Sequence, residues 1–238
     1  MLAEKVLDLA RAALNDTDDV QFTLDTKIQH LNQGQLWIAD LKSDSCAVTE
    51  SVQLVAGTLQ TLPTGGLRFL RLVRVRGSTA TEGPGAVIRA ADLDTMDRMY
   101  PDWHETKASR IPKNYLYDPR RKTEYYVWPP IPASPDVYVE LQYVPSPTEV
   151  PLSTDSPAYD NDYHTIGIPD DFVQGLVDYV AWRLYLRHDD AESENKAQMH
   201  MQSFYQGMGI KASRDRSQFP TERQQFARLQ AKEDAVSG

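Results

Sequence analysis

"EYYVWPPIPASPDVYVELQY", residues Glu124 to Tyr143, packs Tyr125, Tyr126, Trp128, Tyr138 and Tyr143 around a proline-rich turn. Val137, Val139, Leu141 and Tyr143 fall on one face of a strand, and Asp136, Tyr138, Glu140 and Gln142 on the other, the pattern of a sheet with one buried side. Tyr125 and Val127 alternate in the same way with Tyr126 and Trp128 on the strand expected to pair with it. The connection "PPIPASP" holds too many prolines for a two-residue hairpin turn, so a wider, stiff loop is expected there. Either the stretch walls a ligand site or it is building material. No polar pair beside it is set for chemistry, and cross-strand Tyr and Trp contacts of about 0.2–1 kcal/mol each favour the second reading.

Upstream, the period of 2 begins near Glu50. "SVQLVAGTLQTLP" reads as a strand, a tight turn at Gly57 and a second strand closed by Pro63, and "LRFLRLVRVRG" as a longer one. Strict alternation over Leu67 to Arg76 puts Phe69, Arg71, Val73 and Val75 on one face and Arg68, Leu70, Leu72, Arg74 and Arg76 on the other. "GSTATEGPG" reads as a loop and "AVIRAA" as a short strand. Asp92 is placed to cap a short helix that stops before Pro101.

On both sides of this region the period is helical. Leu2, Val6, Leu9 and Ala13, with Ala3, Leu7, Ala10 and Leu14 beside them, predict one amphipathic helix broken by "NDTDD". A second starts near Thr23 and turns Leu24, Ile28, Leu31, Ile38 and Leu41 inward, with Gly34 as a weak point. After a loop of prolines and aspartates, Phe172, Leu176, Val180 and Leu184, flanked by Val173, Val177, Tyr179, Trp182 and Tyr185, demand burial on more than one side. A fourth helix runs from about Ala191 to Met208. The expected fold class is therefore α+β: a helical bundle of two N-terminal and two C-terminal helices (1–45 and 170–209), a central antiparallel β insertion (50–150), and an extended C-terminal tail (211–238) on a body of 1–210.

The chain has 238 residues, 41% hydrophobic and 25% charged, with a mean hydropathy of -0.52, as in an ordinary folded protein. No apolar run approaches the roughly 20 residues of a membrane span, and the N-terminal stretch carries acids unlike a signal peptide, so cytoplasmic residence and no membrane contact are expected. Cys46 is the single cysteine and reads as a packing residue. The net charge of -9 argues against a dedicated DNA-binding face, since phosphate neutralisation needs clustered Lys and Arg. Within it the tail from Lys211 is basic, with six Lys and Arg against four acids, and holds few apolar residues, chiefly Phe219, Phe226 and Leu229. Such a segment is either disordered or held by a partner.

No reactive constellation emerges. "GTLQTLPTGG" and "GPGAVIRA" lack the spacing that cradles phosphate, and no serine sits in a nucleophile elbow. His30, His104, His164, His188 and His200 contain no i,i+4 pair for a helical metal site, and Asp160, Asp162, Asp170 and Asp171 do not match a calcium loop. No catalytic residue, metal or cofactor is expected. Two alternatives stay open: a nucleic-acid-binding module on the Arg68, Arg71, Arg74 and Arg76 strand, and a small hydrolase using His104 or His164 with a nearby Asp.

Six short motifs, in order, resemble the phage head-to-tail adaptor (connector) proteins of short-tailed bacteriophages. They are "VAGTLQTLP" (Gly57, Gln60, Pro63), "YPDWH" (Tyr100 to His104), "YLYDPR" (with Tyr117 and Asp118), "YYVWPP" (with Trp128, Pro129 and Pro130), "VELQYVPSP" and "LVDYVAWRLYLRHD" (with Asp178 and Tyr179). The resemblance spans about Leu24 to Gly209. It implies a structural virion protein of the head-tail neck without enzymatic activity, assembled in the host cytoplasm. Copies would form a ring, a dodecamer, beneath the portal protein. The ring would extend the channel through which genomic DNA passes without specific binding, and present a docking surface for tail, nozzle or fibre proteins. A stopper or tail-tube protein would follow the same ring logic. The apolar girth of the Phe172 helix would then serve lateral contacts between subunits. The C-terminal extension would reach the portal or a neighbour, with Arg216, Phe219, Arg223, Phe226 and Arg228 as anchors.

Overall fold

The Val137 to Tyr143 alternation builds the central strand of one sheet, and the elements around it follow from where prolines, glycines and caps interrupt the two periods. The computed structural model describes residues 2–83, 85–152, 164–188 and 190–218, with 210–218 as backbone alone. In chain order the elements are α1 (Ala3–Leu14), α2 (Leu24–Leu41), β1 (Val48–Leu54), β2 (Gly57–Thr61), β3 (Gly66–Gly77), β4 (Arg89–Ala91), α3 (Leu93–Met99), β5 (Asn114–Leu116), β6 (Glu124–Ile131), β7 (Val137–Pro145), α4 (Val173–Tyr185) and α5 (Ala191–Gln218). The chain is α+β and divides into a helical unit, Met1–Lys42 with Glu149–Gly238, and a β unit, Ser43–Thr148.

In the β unit, β7 lies between β1 and β3 and is antiparallel to both. Its neighbour in sequence, β6, does not pair with it. β6 belongs to a second sheet of order β2-β6-β5-β4, so the expected pairing of the two aromatic strands is corrected to a crossing between sheets. Pro129 and Pro130 lie inside β6, and the connection is only 132–136. The prolines cannot donate to a ladder, and the pairing of β2 slips there, with Gly57 opposite Ile131 but Leu59 opposite Tyr126. The Pro130 carbonyl instead accepts from Ser109 N at 2.8 Å, and Trp128 pairs with Asn114 on β5. The insertion is not wholly antiparallel: β4 and β5 run parallel, because α3 and a single 3-10 turn at Trp103–Glu105 carry the chain back before β5 starts.

The two sheets share one core. Leu54, Phe69, Leu72, Val75, Val137, Val139, Leu141 and Tyr143 from the first sheet meet Tyr125, Val127 and Ile131 from the second. Phe69 is the hub, with ring centroids 4.4 Å from Tyr125, 4.9 Å from Tyr117 and 5.4 Å from Tyr115. Strict alternation fails on β3. The buried residues are Phe69, Leu72 and Val75, three apart, because bulges set Phe69, Leu72 and Val75 opposite Tyr143, Leu141 and Val139, which are two apart. Each bulge adds one residue, and all four arginines lose their expected division between faces. Arg68, Arg71 and Arg74 stand opposite Val144, Gln142 and Glu140 instead of alternating.

The helical unit forms around α4, which packs against α1, α2 and α5. Leu176, Val180, Ala181 and Leu184 are fully buried, and Val177, Tyr179 and Tyr185 nearly so. The apolar girth is thus consumed within the chain, which corrects its expected use in contacts between subunits. Glycines allow the close approach: a Cβ on Gly34 of α2 would lie 2.6 Å from Leu176 Cδ1, and one on Gly175 2.6 Å from Met208 Cε. The N-caps are legible, with Thr23 accepting from Thr26 N at 3.4 Å and Asp92 from Thr95 N at 2.8 Å. On α1 the buried face is Ala3, Val6, Leu7, Ala10 and Leu14, while Leu9 is exposed. Helix α5 continues through Gln218, so the stretch from Lys211 to Gln218 is helical, and no proline interrupts the pattern before Pro220. No helix among the described residues is long and apolar enough to cross a membrane.

Candidate functional site

Among the described residues, those expected to carry chemistry do not converge. The His104 ring stacks on Trp103, 3.6 Å between centroids, and its Nδ1 shares a hydrogen bond of 2.8 Å with Thr58 Oγ1. In the same corner Asp97 accepts from Trp103 Nε1 at 2.8 Å. His104 therefore has a hydroxyl partner and no orienting acid among the described residues. His164 accepts from Ala3 N through its carbonyl at 2.6 Å, while Asp160 and Asp162 lie outside the described residues. No group of three or more His, Cys, Asp and Glu among the described residues is placed to hold a metal ion. Cys46 is half-buried, and burial pushes its thiol up to about 11, away from reactivity.

The arginine strand is largely committed. Arg74 and Arg76 both pair with Glu140, at 3.7 and 3.2 Å, Arg71 Nε donates to Gln142 Oε1 at 2.7 Å, and Arg68 donates to Ser43 Oγ at 3.2 Å. Twelve acidic residues balance twelve basic ones across Ser43–Thr148, so the entire net charge of -9 belongs to the helical unit and its tail. A stripe neutralised by its own sheet is poorly suited to phosphate binding.

The motif residues take structural places. Gly57 has φ +100°, a conformation that favours glycine, and Gln60, 2% exposed, braces the turn beside it. Its Oε1 accepts from Val55 N, and its Nε2 donates to Val55 O, both at 2.8 Å, so one side-chain amide stands in for a strand. The Pro63 carbonyl accepts from Gly66 N, and Asp118 caps a turn by accepting from Arg120 N at 3.0 Å. Tyr117 lies on the Phe69 ring, and Trp128, Pro129 and Pro130 form the slip in β6.

Asp178 and Tyr179 lie in α4. Asp178, 4% exposed, accepts from His200 Nδ1 at 2.8 Å and from Ser203 Oγ at 2.7 Å, both on α5. Both donors meet the carboxylate and not each other, so this is a clasp between helices and not a nucleophile-base pair. A second buried polar network closes the loop after α1. Lys27, fully buried, donates to Asp16 at 2.8 Å and to Asp19 at 2.5 Å. Asp16 also accepts from the amides of Val20, Gln21 and Phe22. Burial pushes the Asp16 carboxyl up, but the hydrogen bonds from Lys27, Gln21 and Phe22 outweigh it and hold it at about 2.

Two of the exposed aromatic residues lie on the helical unit. Trp37 on α2 and Tyr205 on α5 are 46% and 44% exposed, and both join the aromatic residues of α4. The periodicity passed over both; the available signal was an aromatic residue just off a buried stripe, Trp37 beside Ile38 and Tyr205 beside Phe204. Of the expected anchors, Arg216 lies on the backbone of α5, and Phe219, Arg223, Phe226 and Arg228 lie outside the described residues.

No curated protein matches the chain. The family model for the SU10 adaptor protein matches residues 4–225, which takes in both units and most of the order of elements described above. Because that match covers most of the chain, the chain belongs to the SU10 adaptor protein family and is a bacteriophage adaptor, a structural class of virion component.

Proposed function

We propose that copies of this chain close into a ring, a dodecamer, at the head-tail neck beneath the portal protein, where they extend the DNA channel and offer the surface on which tail, nozzle or fibre proteins assemble. The observation that carries this is the family match across residues 4–225. Two physical features support it. Half-exposed aromatic side chains such as Trp37 and Tyr205 are the residue types that anchor interfaces. The negative charge of the helical unit would keep DNA from adhering as it passes. The body is proposed to end near residue 210, with the segment after it, including Arg216, Phe219, Arg223, Phe226 and Arg228, as the connecting extension.

Phage particles that lack this chain supply the test. The expected particles are heads that carry portal but no tail, and adding back the purified protein restores tail attachment. Particles with normal tails in the absence of the chain would overturn the assignment.

A further inference from the structure

The β unit is neutral, but its charges are sorted onto opposite sides of the two-sheet core. On β7, Val139 and Leu141 point into that core, so Glu140 and Gln142 lie on the outer face of the first sheet. There they meet β3: Arg74 and Arg76 both pair with Glu140, and Arg71 reaches only the Gln142 amide. Three guanidinium groups thus share one carboxylate, which leaves a surplus too small for a duplex backbone but suited to a few carboxylates. On β6, Tyr125 is in the core and Tyr126 turns away from it, onto the outer face of the second sheet. Buried Trp103 packs there, its ring centroid 5.7 Å from that of Tyr126, and fastens residues 92–105 to that side.

The fastened segment is an acidic lobe that is only partly packed. It carries Asp92, Asp94, Asp97, Asp102 and Glu105 against a single Arg98. Asp92 caps α3 and Asp97 holds Trp103 Nε1, while the carboxylates of Asp94, Asp102 and Glu105 take no ion pair or hydrogen bond among the described residues. Helix α3 buries no residue, and Met99 and Tyr100 at its end are 67% and 56% exposed. A helix this short has little stability of its own. The core lies between the lobe and the arginines of its own chain, and no lobe carboxylate reaches them. We propose that the lobe of one copy docks on the arginine face of the first sheet of the next, its free carboxylates against Arg71, Arg74 and Arg76, with Met99 and Tyr100 as apolar anchors. Two unlike surfaces on opposite sides of one unit make a head-to-tail contact, the kind that closes rings. The contact is lateral, and it rests on the ring reading above.

The test finds, by native mass measurement, the concentration of full-length chain that half-fills purified portal rings. It compares the native chain, Asp94→Lys with Glu105→Lys, Arg71→Glu, and all of these changes in one chain. The three positions are exposed, and unchanged thermal unfolding checks that each variant folds. Either partial set is expected to raise that concentration by about tenfold or more, because it sets like charges against each other across the contact. The combined chain is expected to need less than either partial one, since each change then answers the other across the contact. Partial sets that assemble like the native chain, or a combined chain no better than its parents, overturn the contact and leave the ring reading standing. Variants that complete the ring as the native chain does but fail to take up tail proteins assign the surfaces to a different partner and overturn it as well. If the native chain itself does not fill the portal, both readings fall.

Discussion

At the level of single residues, the sequence shows which positions are apolar but not which polar ones are internal. Gly34 reads as a weak point in α2, yet it is the point of closest approach to α4. Gly34→Ala gains about 1 kcal/mol of helix propensity but drives a methyl group to 2.6 Å from Leu176 Cδ1 and 2.9 Å from the Tyr179 ring, where overpacking costs about 1–3 kcal/mol. Leu176 is fully buried and has no room to turn aside, so net destabilisation is expected in urea unfolding. Lys27 and Asp16 look like surface charges in "NDTDD" and the turn of helix after it, and only the fold reveals that they meet. Lys27→Met leaves the buried Asp16 without its cation, while Asp19 keeps Arg11, and costs roughly 3–5 kcal/mol. The folded-state carboxyl of Asp16 is lowered, so its contribution is present above the unfolded value of about 4 and is lost as pH falls toward about 2. A lowering of nearly two units corresponds to on the order of 2 kcal/mol. Unfolding curves at pH 7 and pH 2.5 are expected to differ less in Asp16→Asn than in the native chain.

At the level of elements, period and caps were legible and pairing was not. The N-caps at Thr23 and Asp92 and the buried face of β7 follow from local residue types, which act within a few positions. Sheet partners depend on contacts far apart in sequence, and β3 shows how a bulge turns a period of 2 into a period of 3 that local alternation does not anticipate. The clasp at Asp178 was legible only as an acid on an apolar helix, since its donors His200 and Ser203 come from α5. Asp178→Ala strands both donors at a cost of about 1–3 kcal/mol, and the predicted outcome is amide exchange along Ala197 to Met208 that is faster by about tenfold or more. Exchange that quickens equally throughout α1 and α2 would show that the clasp is not local to α5.

At the level of the whole molecule, charge is divided more sharply than composition suggests. The β unit is neutral, and Arg74 and Arg76 of β3 pair with Glu140 of β7, which weakens the support for a nucleic-acid-binding strand. Duplex DNA mixed with the purified protein at low salt is expected to migrate as free DNA; a salt-sensitive shift lost in Arg71→Glu would restore that alternative. Family membership was legible because six short motifs mark turns, slips and the α4 clasp, places where geometry restricts the residue. The partner surface was not, because an exposed Trp37 or Tyr205 breaks no local rule. The central claim, that copies of this chain assemble on the portal, is tested most directly by native mass measurement of the full-length protein mixed with purified portal rings. The expected spectrum shows the portal with a complete ring of added chains, and a spectrum of bare portal beside free single chains at every concentration would contradict it.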